Sequence, residues 1–395
     1  MLKLSSTNVK IAKIHKQHQN KLKKARISLK KRKYSEFLDL PDQDLSELIK
    51  TTTPLKAKYS DIVVIGMGGS ILGTQMIFNI FKGPNHNLTA KPRFHFIDTL
   101  DPSFIKSLEP VLDKKKSLFI FVSKSGNTLE TSTLFALVYK GARKWFGPKW
   151  QKHIAIITQN PSGLLHKYAI KDNLTLYEIP KFVGGRYSIL TAAGLTPSLL
   201  MGIDPKKLLQ GAKKAHTLAT AERLAALQYH MYKEKKKTST ILFPYINGFE
   251  FFNKWAIQLI AESLGKNSKT GPLPVGPIGP SDQHSTLQLL LDGPKDKWVT
   301  FFEVEKRAND YKVNNQNFSK VLKAQKEGTR KALDQKNIPT VTLTLDKISE
   351  ESIGELIQTF EIAVALTGEM LKINPFNQPA VELGKKKTNE LLNHR

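Results

Sequence analysis

Residues 117–131 read SLFIFVSKSGNTLET. An apolar run from Leu118 to Val122 stops at Ser123. The next nine residues hold two serines, a lysine, a glycine, an asparagine and two threonines. The spacing beyond, from Asn127 to Trp145, is helical. The stretch therefore predicts a buried strand, a polar loop and a helix. A plain turn needs the glycine and at most the asparagine. It does not need Ser123, Lys124, Ser125 and Thr128 together. A helix cap at Ser125 or Asn127 accounts for one hydroxyl and not three. Several hydroxyls, one cation and a helix N-terminus suit a phosphate.

The same rhythm recurs on both sides of this unit. Ile62-Val63-Val64-Ile65 is a short apolar run that ends in Gly66-Met67-Gly68-Gly69-Ser70, and helical spacing follows. Arg93 to Ile97, His153 to Thr158 and Leu174 to Ile179 read as further strands. Strands separated by helices predict a parallel sheet covered on both faces. Ligands of such sheets bind beyond the carboxyl ends of the strands, where both polar loops fall. A second cycle begins at Ile241-Leu242-Phe243. It continues with a helix over Phe249 to Leu264, strands at Trp298 to Val304 and Thr340 to Leu345, and a helix over Ser352 to Leu371. The expected division is a basic helical segment over 1–60, an α/β domain over 61–205, a helical bridge over 206–238, a second α/β domain over 239–373, and a C-terminal segment over 374–395.

Composition bounds the function. The 395 residues include 40% hydrophobic ones and can bury a large core. No cysteine is present, which excludes disulfides and thiol chemistry. No apolar stretch is long enough to span a membrane and the start lacks a secretory core, so a cytoplasmic protein is expected. The formal net charge is +27. Lysines are spread along the whole chain, so neither nucleic acid nor a membrane is the expected partner. The most basic segment, Lys3 to Lys33, carries Ile11, Ile14, His18, Leu22, Ala25 and Leu29 at three- and four-residue steps. This predicts an amphipathic helix that docks its stripe on the body and solvates its lysines.

Several residues have the chemistry of a site. Gly66, Gly68 and Gly69 let the backbone approach an anion, and Ser70 adds a hydroxyl. The cluster lacks the third glycine of a dinucleotide fingerprint. Arg186 follows two glycines that aim it, and an arginine beside a phosphosugar can hold a developing oxyanion. Gln258 and Glu262 are four apart on one helix face. Glu262 lies near the helix end, where the dipole disfavours the anion, as suits a proton-accepting base. His284 stands at a loop-to-helix junction. Lys385 is locally one lysine among many. There is no His-x-His, no His-Glu-x-x-His and no carboxylate cluster at ligand spacing, so no metal site or cofactor is expected. The residues alone point to an α/β phosphosugar-binding protein.

Six stretches, IGMGGSILG, SKSGNTLET, GGRYSIL, AESLGKN, GPSDQHSTLQLLLDGP and NPFNQPAVELGK, run in order from Ile65 to Lys385. Together they resemble the signature blocks of the phosphoglucose isomerase family, the glucose-6-phosphate isomerases. The resemblance implies two SIS-type three-layer αβα sandwiches with parallel-rich sheets, plus N- and C-terminal helices. It implies reversible exchange of glucose 6-phosphate and fructose 6-phosphate through a cis-enediolate. It places Gly69, Ser70, Ser123, Lys124, Ser125 and Thr128 on the sugar phosphate, with Gln258 and Gln378 as further substrate contacts. Arg186 would stabilise the enediolate, Glu262 would move the proton, and His284, assisted by Lys385, would open the ring. It also implies a homodimer in which His284 is contributed across the interface. Two other readings remain open on these residues: a mannose 6-phosphate side activity, and a phosphosugar sensor that lacks turnover.

Overall fold

The computed structural model describes residues 2–161, 163–217 and 219–393. Its strands are β1 (Lys3–Ser5), β2 (Asp61–Ile65), β3 (Arg93–Ile97), β4 (Ser117–Val122), β5 (Ile154–Thr158), β6 (Thr175–Glu178), β7 (Ser239–Pro244), β8 (Leu273–Val275), β9 (Lys297–Val304), β10 (Lys312–Val313), β11 (Gln316–Asn317) and β12 (Thr340–Leu345). One sheet has the order β3-β2-β4-β5-β6, with every pair parallel. The other has the order β1-β12-β9-β7-β8, parallel except for β1 at its edge. β10 and β11 form a separate small hairpin.

Central strands of a sheet covered on both faces read as near-continuous apolar runs, and β2 and β4 do so after their first residues, Asp61 and Ser117. All five residues of β2 and all six of β4 are buried. Their alternation divides two cores. Ile62, Val64, Leu118, Ile120 and Val122 face the interior shared by the two sheets. Val63, Ile65, Phe119 and Phe121 face an outer layer with Phe135, Val138 and Trp150. The second sheet repeats this: Leu242, Trp298 and Phe302 face the shared interior, whereas Ile241, Phe243, Val299 and Phe301 face outward. The helix Glu350–Met370 fills the shared interior, and each of its residues from Ser352 to Met370 is buried. The fold is the SIS-type pair of αβα sandwiches that the sequence predicts.

The basic N-terminal helix forms over Ile11–Lys30 and buries Ile14, His18, Leu22, Ala25 and Leu29. Its stripe packs on the helices Thr220–Tyr229 and Glu350–Met370. The lysines are thereby left on the solvated side. Ahead of it, β1 adds an antiparallel edge to the second sheet through Leu4 and Leu343. Three residues with alternating polarity give no strand period, so the sequence does not predict β1. Nor does it predict β8, because proline and glycine dominate its surroundings.

Candidate active site

The loops after β2 and β4 lie side by side because their strands are hydrogen-bonded neighbours, Ile65 opposite Phe121. A Cβ placed on Gly66 would lie 3.0 Å from the Val122 carbonyl and 3.1 Å from Cβ of Ser70. Ser70, the last residue of a 3₁₀ turn, thus sits beside the start of the hydroxyl-rich loop.

In that loop Oγ of Ser123 and Oγ1 of Thr128 are 2.8 Å apart. Thr128 is the N-cap of the helix Leu129–Phe146, yet its side chain makes no cap hydrogen bond. Oγ of Ser125 accepts from the Asn127 N–H, and the Asn127 carboxamide oxygen accepts from the Leu164 N–H. The hydroxyls are therefore not spent on capping, and the helix start keeps its N–H groups for an anion. Oγ1 of Thr131 and Oγ of Ser132, in the first turn, are buried without a hydrogen-bond partner. Nζ of Lys124 lies 5.0 Å from the centroid of the Tyr34 ring. Burial pushes the Lys124 ammonium down to about 8, partly opposed by Glu36.

The first glycine loop also approaches two further candidates, Gln258 and Arg186. Gly68 has φ of 52°, a region that favours glycine, and a Cβ there would lie 2.8 Å from Nε2 of Gln258. A Cβ on Gly69 would lie 2.4 Å from the Gly185 carbonyl carbon and 2.6 Å from the Arg186 nitrogen. The missing Cβ atoms let two loops and a helix close on one point. Gly69→Ala should force these backbones apart, destabilising the fold by about 1–3 kcal/mol. It should also cut kcat/KM about 100-fold, because reacting groups are displaced. Denaturant unfolding and steady-state assays check both, and wild-type values in either would show that the contact can relax.

Arg186 is the hub. It is buried, and its backbone carbonyl accepts from Nε1 of Trp255 at 3.1 Å. Its Nε donates to Oγ of Ser263 at 2.8 Å. Nη1 donates to Oε2 of Glu262 and to Oε1 of Gln378, each at 3.0 Å. Nη2 donates to the Pro375 carbonyl at 2.6 Å. A fully partnered fork is how a buried guanidinium offsets its lost hydration. The other carboxylate oxygen of Glu262, Oε1, accepts from Nε2 of Gln258 at 3.0 Å. Glu262 is in the last turn of the helix Glu250–Leu264. A carboxylate, a carboxamide and a guanidinium are thus in direct contact.

Three residues that the sequence did not single out support this group. Ser263 accepts from Arg186 and lies 3.1 Å from the hydroxyl of the buried Tyr187. The Lys266 ammonium bonds the carbonyls of Glu262 and Asn377, tying the helix end to the C-terminal segment. Burial, with Arg186 nearby, pushes Lys266 down to about 8. Ser263 and Lys266 stand within AESLGKN, but only contacts with Arg186 and Asn377, distant in sequence, reveal what they do.

Two expected members stand apart. His284 ends an exposed 3₁₀ turn, Ser281–His284, and its ring has no hydrogen bond to a described residue. Lys385 is exposed on the helix Pro379–Asn393, where all the described side chains except Glu390 are exposed, and donates to Glu382 at 2.8 Å. Within one chain the structure brings Gly69, Arg186, Gln258, Glu262 and Gln378 together and sets Ser70 beside the start of the loop that carries Ser123, Lys124, Ser125 and Thr128. It does not bring His284 or Lys385 to Glu262.

The profile of the family described as phosphoglucose isomerase matches residues 45–335 and 312–395. A glucose-6-phosphate isomerase of Methanocaldococcus jannaschii is 37% identical over 345 residues, covering 83% of this chain and 83% of that protein. A crystal structure of a hypothetical protein from Thermus thermophilus superposes with a TM-score of 0.91 at 30% identity, covering 100% of both chains. That of a glucose-6-phosphate isomerase from Chlamydia trachomatis gives a TM-score of 0.86 at 21% identity, covering 99% of this chain and 88% of the other, which bears on the fold alone.

Proposed function

The chain belongs to the phosphoglucose isomerase family and catalyses reversible exchange of glucose 6-phosphate and fructose 6-phosphate; from that premise we propose that Glu262 is the base of the exchange and Arg186 its oxyanion donor. The observation that carries this reading is the grip on Glu262, one oxygen held by Arg186 and the other by Gln258. In the aldose-to-ketose direction Glu262 removes the proton from C2 and returns it to C1. The enediolate oxygen charge that develops between these steps is stabilised by the guanidinium, held in place by its hydrogen bonds. The phosphate is not altered. Gly69, Ser70, Ser123, Lys124, Ser125 and Thr128 bind it, and that energy holds C1 and C2 against Glu262. Gln258 and Gln378 bracket the reacting carbons. The test is conversion of fructose 6-phosphate to glucose 6-phosphate in the presence of a chelator. Rapid turnover is expected, and a folded protein that binds the sugar phosphate without turning it over would leave only the sensor.

His284 opens the pyranose ring from across a homodimer, with Lys385 assisting it. Support comes from the exposure of the His284 turn and of the helix Pro379–Asn393, where Leu383 and Leu391 are 64% and 78% exposed. Such side chains invite burial against another protein surface. The domains proposed keep the boundaries expected from the sequence; the separate outer core of each sheet supports them, and β1 of the N-terminal segment joins the second sheet. A cytoplasmic location suits this metabolic role, and no helix among the described residues is long and apolar enough to cross a membrane.

Lys124 gives the phosphate site a pH signature. A lysine depressed to about 8 is charged below that value and neutral above it. Affinity for the phosphate dianion should therefore fall as pH rises through about 8, which raises KM with little change in kcat. Lys124→Met should raise KM roughly tenfold at neutral pH and flatten this alkaline limb. An unchanged KM in that variant would remove Lys124 from the phosphate site.

A further inference from the structure

The sequence shows no metal-ligand spacing, but the fold brings three ligand-type groups together away from the Glu262 cluster. His18 is on the docked face of the N-terminal helix Ile11–Lys30. His230 and Glu234 open and close the π-helical turn His230–Glu234, which continues the helix Thr220–Tyr229. We propose that His18, His230 and Glu234 bind one divalent transition-metal ion of the Zn2+ type, which clamps the basic N-terminal helix to the helical bridge.

The geometry is that of a ligand set. Nε2 of His18 is 3.3 Å from Nδ1 of His230 and 3.4 Å from Oε1 of Glu234. Nδ1 of His230 is 2.9 Å from Oε2 of Glu234. One ligand atom from each residue can be chosen so that all lie within 4.8 Å of one another. Zn–N bonds near 2.0–2.1 Å at tetrahedral angles separate two ligand nitrogens by about 3.3 Å. Hydrogen bonding satisfies the trio less well. Both ring nitrogens point at one carboxylate and at each other, so protons on both would bring two N–H groups face to face. A metal ion takes the lone pairs of both rings and the carboxylate charge together.

The surroundings agree. Both rings are buried, whereas the Glu234 side chain is 38% exposed, which leaves an approach for the ion and a fourth, solvent-derived ligand. Burial lowers the proton affinity of both histidines, with Glu234 opposing, and favours the neutral rings that ligate metals. Nε2 of Gln17 donates to Oε2 of Glu234 at 2.8 Å, an outer contact that orients the carboxylate. Tyr229 packs edge-on against His18, ring centroids 5.2 Å apart. The π turn fits as well. Such turns cluster at functional positions, and this one aims residues four apart at a single point. Two imidazoles and a carboxylate suit Zn2+, Co2+ or Ni2+ rather than Mg2+ or Ca2+.

The test uses the full chain, stripped with chelator and dialysed against Zn2+ or Co2+. Wild type should retain one ion per chain, and the Co2+ form should show the intense visible absorption of a four-coordinate site. His18→Gln and His230→Gln should each weaken Zn2+ binding at least about 100-fold, since loss of even an outer contact costs about 10–100-fold. Zn2+ should raise the Tm of wild type and not of the variants. Sugar-phosphate turnover, which uses none of these residues, reports that each variant is folded. If a variant fails to fold, the wild-type Co2+ spectrum decides alone. No retained ion, a weak six-coordinate spectrum, or equal retention by folded variants would overturn the proposal.

Discussion

Glu262→Gln should lower kcat about 10²–10⁴-fold, the range a positioned acid–base group contributes, and leave KM little changed. The structure makes this a clean substitution. Glutamine keeps the shape and one acceptor oxygen, so Nη1 of Arg186 stays partnered. Its new amide would face the Gln258 amide, which now donates to Oε1. Oε1 of Gln258 is buried without a partner, so rotation of that carboxamide supplies the missing acceptor. The lost turnover is then attributable to the absent base and not to a collapsed site. Exchange of the substrate C2 proton with solvent should fall in parallel, while ring opening should persist. Turnover within about tenfold of wild type would exclude Glu262 as the proton carrier.

That residue shows how far local sequence carries. Glu262 and Gln258 share a face because they are four apart, and their contact is as local as the reading that found it. The strands were legible for the same reason: β3, β4 and β12 occur over the predicted residues, since buried parallel strands are short apolar runs between polar loops. Arg186 is different. Two glycines mark it as an aimed side chain. Its partners Ser263, Glu262, Gln378 and Pro375 are 76 to 192 residues away, and no period links them. The loop after β4 stood out by its hydroxyls, but only the fold shows that Thr128 bonds Ser123 and leaves its helix without a side-chain cap. β1 escaped notice because an edge strand of three residues takes its order from β12 and not from its own pattern. His18, His230 and Glu234 escaped for the reason Arg186's partners did, since 212 residues separate the two histidines.

Mixing two inactive variants should restore activity. His284→Ala should lower turnover of the cyclic substrate about 10²–10⁴-fold by removing the ring-opening group. It should spare turnover of substrate already in the open form. If each site takes Glu262 from one subunit and His284 from its neighbour, a mixed dimer of Glu262→Gln and His284→Ala has one site with both lesions and one with neither. Random pairing makes half of the dimers mixed and half of their sites intact, so about a quarter of wild-type activity should return in this isologous arrangement. The single chain makes the expectation specific. Pro375 and Gln378 tie the start of the C-terminal segment to Arg186, but beyond Gln378 every described side chain except Glu390 is exposed. Lys385 meets only Glu382 on its own helix, and His284 ends a solvent-facing turn. A site confined to one chain would have to move both groups to Glu262, and mixing would then restore nothing. Co-expression of the variants, followed by assay of the unfractionated dimers, separates the two arrangements.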